Sequence, residues 1–295
     1  MRLSILDHGH RLRARLFFTM TGRDAPDIVR TLLYRPDFFA RPLLAITAPA
    51  MRGPSHWTAG EREYLAMRTA QSHQCPFCVE SHTELTRIAG HGEINPDDAD
   101  SARPELTAVR AFLDTTQSPD EIDGAGVGVG AAGLPEPAVR EALDVDLVWN
   151  VVNRLANAFG FALRGDQLHS GTRALHRFGY RFPAFLLAGG DRSGGTGATG
   201  DPVENLRHAV FEAPATTDPA LRAAAATGDD LPESWRSYTT LVRDASHRIT
   251  EADIARLTAA GHTEDAIFEV TVAAAVGAAL RSYDAGHRVL GNKRA

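Results

Sequence analysis

Apolar residues return at three- and four-residue intervals along most of this chain, while alternating runs of β-branched or aromatic residues are scarce. That period belongs to the helix, so the sequence predicts an all-α protein. Its 295 residues, 43% of them hydrophobic, suffice for a sizeable core and fit about two domains. Thr58-Ala-Gly-Glu61 fits a capping box, in which each side chain satisfies the other residue's free backbone N–H, and predicts a helix from Ala59 to Ser72. Proline is tolerated in a first turn, and glycine after a basic residue ends helices. A second helix is therefore expected from Cys75 or Pro76 to Gly90, with Arg87 in its last turn. Further helices are expected over 105–115, 137–163, 231–245, 251–260 and 264–290.

Residues 189–200 read GGDRSGGTGATG, too small and polar to order themselves by burial, and are taken as a linker. The chain then divides into a domain over 1–188, the linker, and a C-terminal segment over 201–295. That segment holds an internal echo. The stretch from Ala131 through Gly133, Glu136 and Ala138 to Glu141 lines up with the stretch from Ala259 through Gly261, Glu264 and Ala266 to Glu269. The C-terminal part thus reads as a degenerate helical repeat without cysteine. Gly128-Val-Gly130-Ala-Ala-Gly133 and Gly195-Thr-Gly197-Ala-Thr-Gly200 match a dinucleotide-binding pattern. Neither follows a strand, so neither is read as a nucleotide site. Trp149, Phe159 and Phe161 are expected in the core or an interface, or lining a substrate pocket.

The net charge is −6, with 31 basic against 37 acidic residues and no basic stripe, which argues against a nucleic-acid partner. No stretch approaches the roughly 18 uncharged apolar residues of a membrane span, and charges interrupt the N-terminus where a signal peptide needs an apolar run. A cytoplasmic protein with no membrane partner is expected. In that reducing compartment a lone cysteine pair is read as catalytic or metal-binding rather than structural.

The two cysteines lie in Cys75-Pro-Phe-Cys78-Val-Glu-Ser-His82. Steps of three and four residues put both sulfurs and the imidazole on one helix face. The helix N-terminus is expected to favour thiolate over thiol, and His82 can take the thiol proton or stabilise the anion. Glu63 shares helical spacing with Ala66, Met67 and Ala70. It is expected on an otherwise apolar face, with Glu61, Arg62 and Arg68 pointing elsewhere, and is a candidate to orient His82.

Glu63-x11-Cys75-x2-Cys78-x3-His82 resembles the signature of the alkylhydroperoxidase D-like proteins of the carboxymuconolactone decarboxylase superfamily. The likeness covers about residues 26–165, including Arg35-Pro-Asp-Phe38 and Asn153-Arg-Leu-Ala-Asn-Ala-Phe-Gly160, and is looser beyond. The resemblance implies an all-helical alkylhydroperoxidase D-like fold, a homo-oligomer and reduction of organic hydroperoxides at the expense of an external dithiol. It implies Cys78 as the attacking thiol, Cys75 as the resolving thiol, and His82 with Glu63 as the proton relay, without metal or organic cofactor. The best-studied members carry a second histidine between the cysteines, where this chain has Phe77.

Three other readings use the same residues. A general thiol-disulfide oxidoreductase would attack disulfides instead of peroxides, and a non-catalytic redox sensor would change its assembly on oxidation. Zinc would take Cys75, Cys78 and His82 with His73 nearby, but no second ligand pair exists elsewhere, and His73 is read as peripheral.

Overall fold

The computed structural model describes residues 1–20, 25–117, 133–188 and 200–291. Among them there is no strand, and the protein is all-α. In chain order the helices are α1 (Ile5–His8), α2 (Leu12–Met20), α3 (Asp27–Tyr34), α4 (Arg41–Arg52), α5 (Ala59–Ser72), α6 (Pro76–Gly90), α7 (Pro104–Thr116) and α8 (Glu136–Phe159). They continue with α9 (Gln167–Phe178), α10 (Ala184–Leu187), α11 (Pro202–Arg207), α12 (Pro219–Thr227), α13 (Glu233–Asp244), α14 (Glu251–Ala259) and α15 (Glu264–Gly291). The expected linker, except Gly200, and most of both glycine patterns lie outside the described residues, as do Ala131 and Ala132 of the echo.

The helices with strong terminal chemistry fall where the sequence places them. Thr58 accepts from the Glu61 N–H at 3.2 Å, and its own N–H donates to Glu61 Oε2 at 2.8 Å, so α5 starts at Ala59. α8 stops four residues short of the expected 163. Gly160 adopts φ +69°, and the Phe161 N–H turns back to the Ala156 carbonyl at 2.9 Å, a glycine-terminated helix end. α4 continues directly from a π-helical turn at Pro36–Ala40 and needs no N-cap, which is why no start signal marks it.

The chain groups into two compact units, each drawn from three stretches: Met1–Ile46 with Arg154–Gln167 and Arg181–Ala278, and Thr47–Asn153 with Leu168–Tyr180 and Ala279–Ala295. In the first, Leu3, Leu6, Leu33, Phe39, Val210 and Phe268 are sealed from solvent, and Phe268 stacks on Phe159 and meets Tyr34 edge-on. In the second, α5 packs along the length of α6. The two backbones meet at Gly60 and Gly90, where a Cβ on Gly60 would lie 2.4 Å from the Gly90 Cα. Leu65, Leu85, Val109, Leu113, Val145 and Val151 close the core around this pair.

The echoed glutamates make like contacts, each within its own unit. Glu141 accepts from Ser55 Oγ and the His56 N–H, both at 2.8 Å; Glu269 accepts from the Thr216 and Thr217 N–H groups at 2.8 and 2.7 Å. In both cases the loop held this way leads into a helix, α5 or α12, carrying a buried arginine that donates to backbone carbonyls. Arg62 donates to the carbonyls of Ala50 and Gly53, Arg222 to those of Val210 and Ala213. Where α5 has Glu63, one residue past its arginine, α12 has Ala223. By length and composition α15 is apolar enough to cross a membrane, but 78% of its apolar window is buried inside the protein.

Candidate active site

The chain between α5 and α6 is a tight hinge. His73 caps α5, Gln74 takes the left-handed conformation at φ 50°, and Cys75 is the N-cap of α6, its N–H reaching back to the Ala70 carbonyl at 3.0 Å. Pro76 at the first position costs α6 nothing, because an N–H there has no helical partner. Cys78 falls one turn in from the cap and His82 one turn further. The sulfurs of Cys75 and Cys78 lie 2.8 Å apart, both thiols are free, and each residue is only 1% exposed.

His82 is 2% exposed and Glu63 fully buried, and the imidazole Nδ1 meets Glu63 Oε2 at 2.7 Å. A carboxylate there requires the proton on Nδ1, which leaves Nε2 as the basic ring nitrogen. Glu63 has two further partners. Arg52 Nη2 donates to Oε1 at 2.5 Å, and the Tyr180 hydroxyl lies 2.8 and 2.9 Å from the two carboxylate oxygens. The guanidinium of Arg52 sits over the Tyr180 ring at 5.1 Å. Trp149, from α8, is edge-on to His82 with centroids 3.9 Å apart, and donates its indole N–H to Met51 Sδ at 3.2 Å. All of these residues belong to the second unit.

The electrostatics follow from burial and partners. Burial by itself would lift Glu63, but the hydrogen bond and charge of His82, then those of Arg52, outweigh it and leave the carboxyl below its ordinary value. Tyr180 is pushed well up by burial and by the Glu63 charge, so it stays a phenol and a donor. Cys78 is pushed well up by burial, then by the hydrogen bond to Cys75 and repulsion from charge on that sulfur.

That last direction corrects the expected acidity of Cys78. The helix N-terminus lies where the sequence puts it, yet removal of water from the sulfur has the larger effect. Glu61 and Arg62, expected to point away from the Glu63 face, have partners of their own. Both are buried, the first in the capping box and paired with Arg103, the second on backbone carbonyls. His73 bonds Asn150 Oδ1 at 2.9 Å, in a polar network with Asp146, Thr69 and Gln117. Among the described residues, no three His, Cys, Asp or Glu side chains form a metal-holding group.

Spacing alone thus picks out two contacting pairs, Cys75 with Cys78 and Glu63 with His82, while Arg52 and Tyr180 escape it. Tyr180 is 117 residues from Glu63 in sequence; its only local mark is its place after Gly179, just past the end of α9. The fold and site define an all-helical protein with a buried, closely apposed dithiol at the start of the helix that carries His82, itself bonded to Glu63. Comparison of the chain with family models, with curated proteins and with solved structures found no match in any of the three.

Proposed function

We propose that the protein is a thiol-dependent peroxidase that reduces organic hydroperoxides through Cys75 and Cys78, with His82 and Glu63 serving the proton transfer. The observation that carries this reading is the 2.8 Å separation of the two sulfurs on a helix that also presents His82, itself tied to a fully buried carboxylate. At rest, burial keeps the proton on Cys78. In the proposed cycle that proton passes to His82, and the thiolate attacks the peroxide O–O bond, giving a Cys78 sulfenic acid and an alkoxide that is protonated to the alcohol. The Cys75 sulfur then displaces the sulfenic oxygen as water, forming the Cys75–Cys78 disulfide. An external dithiol restores both thiols and is itself oxidised to a disulfide, so two electrons pass from dithiol to peroxide. The alkylhydroperoxidase D-like fold over residues 1–188, a degenerate repeat over 201–295, a homo-oligomer and a cytoplasmic setting belong to the same proposal, supported by the Glu63–Cys75–Cys78–His82 spacing and the like contacts of Glu141 and Glu269.

A second reading, a general thiol-disulfide oxidoreductase, draws on one observation of its own. Cys75 occupies the N-cap, at the open end of α6, and Cys78 lies one turn deeper in the helix. That is the polarity in which the first cysteine attacks a disulfide and the second resolves it. Turnover of cumene hydroperoxide with a dithiol reductant, abolished by Cys78→Ser, together with a Cys75–Cys78 disulfide by mass spectrometry, is the result expected of the peroxidase. Reduction of a model disulfide without peroxide turnover, and a mixed disulfide trapped on Cys75 in Cys78→Ser, would establish the oxidoreductase instead.

A further inference from the structure

Glu63 receives hydrogen bonds on both carboxylate oxygens from three separate elements. Oε1 takes Arg52 Nη2 at 2.5 Å, from the end of α4; Oε2 takes His82 Nδ1 at 2.7 Å, from α6; and the Tyr180 hydroxyl, beyond the end of α9, is within reach of both oxygens. Arg62 on α5 and His176 on α9 are the other charged or titratable groups whose fields reach it. The backbone is shaped for this contact. Gly179 and Tyr180 both adopt positive φ, at 58° and 62°, and the Tyr180 N–H turns back to the Leu175 carbonyl at 3.4 Å. Glycine takes that conformation freely, but a tyrosine is strained there, and such strain persists where the surroundings demand it.

We propose that Arg52 and Tyr180 are positioning residues that lock Glu63 as a permanent anion, so that it orients His82 and stabilises the imidazolium but never carries the proton itself. The inference rests on the peroxidase reading for its kinetic consequence and deepens it, since a relay running through Glu63 would end instead at His82. The geometry leaves Glu63 no productive way to be neutral. A proton on Oε2 would break the bond from His82, and a neutral carboxyl would strand the Arg52 charge, whose side chain is only 13% exposed. The role resembles that of the carboxylate in a Ser-His-Asp triad, which holds the imidazole without becoming protonated.

The test uses the full-length protein with carbon-13 label in the glutamate carboxyl groups, the Glu63 signal being assigned by its loss in Glu63→Gln. In the unaltered protein Glu63 should stay ionised throughout the neutral range. In Arg52→Met its titration should move up by about one unit or more, the effect of removing an adjacent opposite charge. The acid limb of kcat/KM for cumene hydroperoxide should move with it, giving a loss of about tenfold one unit below the new midpoint that rising pH recovers. Arg52→Lys should restore both. Tyr180→Phe, which removes only a hydroxyl, should move the titration in the same direction and keeps the test decisive where Arg52→Met fails to fold. A Glu63 signal found protonated near neutrality in the unaltered protein would overturn the inference, as would variants that lose activity equally at every pH with the Glu63 titration unmoved. Absence of peroxide turnover in the unaltered protein would overturn the peroxidase reading alone, because the carboxyl titration needs no activity.

Discussion

Gly60→Ala should separate the chemistry from the stability. Alanine is the better helix former by up to about 1 kcal/mol, so propensity alone expects a more stable α5. The structure expects the opposite, because the added Cβ would lie 2.4 Å from the Gly90 Cα and 2.9 Å from its nitrogen, both backbone atoms that no rotamer change can move. Carbon atoms rest at about 3.5–4.0 Å, so α5 and α6 must part by roughly 1 Å. Overpacking of this kind costs about 1–3 kcal/mol, which less the propensity gain leaves a net loss of about 0–2 kcal/mol. The same displacement, passed on in full, stretches the 2.7 Å contact between Glu63 on α5 and His82 on α6 to about 3.7 Å, beyond hydrogen-bond range. A shift of that size costs about a hundredfold in rate. Urea denaturation and kcat/KM for cumene hydroperoxide read the two quantities, with Gly286→Ala as control. There the new Cβ meets the Leu143 side chain alone, Cδ2 at 2.5 Å, Cδ1 at 3.1 Å and Cγ at 3.4 Å, and no backbone, so the side chain can yield and both readouts should change far less. A Gly60→Ala protein more stable by about 1 kcal/mol and fully active would refute the claim that the Gly60–Gly90 contact sets the site.

Glu63→Ala should lower the unfolding free energy at neutral pH by about 3–5 kcal/mol, since it leaves the buried Arg52 unpaired, and urea titration measures it. Because the folded Glu63 value is depressed below 4.5, its contribution is complete above 4.5 and is lost as pH falls through the folded value. The alanine variant should therefore show a flatter acid limb. The Cys78 thiol, raised above 9.0, should react with iodoacetamide at neutral pH far more slowly than free cysteine. The fold should also lose stability above pH 9.0, where the unfolded thiol ionises and the buried one does not; an alkylation rate equal to that of free cysteine would refute the desolvation argument. Thr58→Ala should cost about 1 kcal/mol through the lost cap, with Thr58→Ser close to neutral in the same urea assay.

What could be read from the chain beforehand was whatever is decided within a few residues. The capping box at Thr58 and Glu61 set the start of α5, proline at 76 set that of α6, and steps of three and four residues put Cys75, Cys78 and His82 along one helix. Glu63 was legible only as one member of a spaced set, because its burial depends on α4, α6 and the end of α9 closing around it. The early helices and those from α9 to α12 are not among the expected ones, although α3 and α9 carry a clear apolar face at helical spacing that could have marked them. α4 starts from a π-helical turn without a cap, and α10 and α11 span four and six residues, too short for a helical period to declare itself.

The dithiol shows where local reasoning reverses. A helix N-terminus is a local source of field, and its position follows from Pro76 and the Cys75 cap. Desolvation is a tertiary quantity, set by everything packed over the sulfur, and at 1% exposure it outweighs the helix end and keeps Cys78 a thiol. For a peroxidase this shifts the burden of activation from the helix to His82. The imidazole must accept the proton at the moment of attack, and it can do so only while a neighbouring anion holds Nδ1–H in place and balances the new charge. A Glu63 that itself took the proton would forfeit that balance. The carboxylate fixed by Arg52 and Tyr180, and the reluctant thiol it serves through His82, are therefore two sides of one requirement.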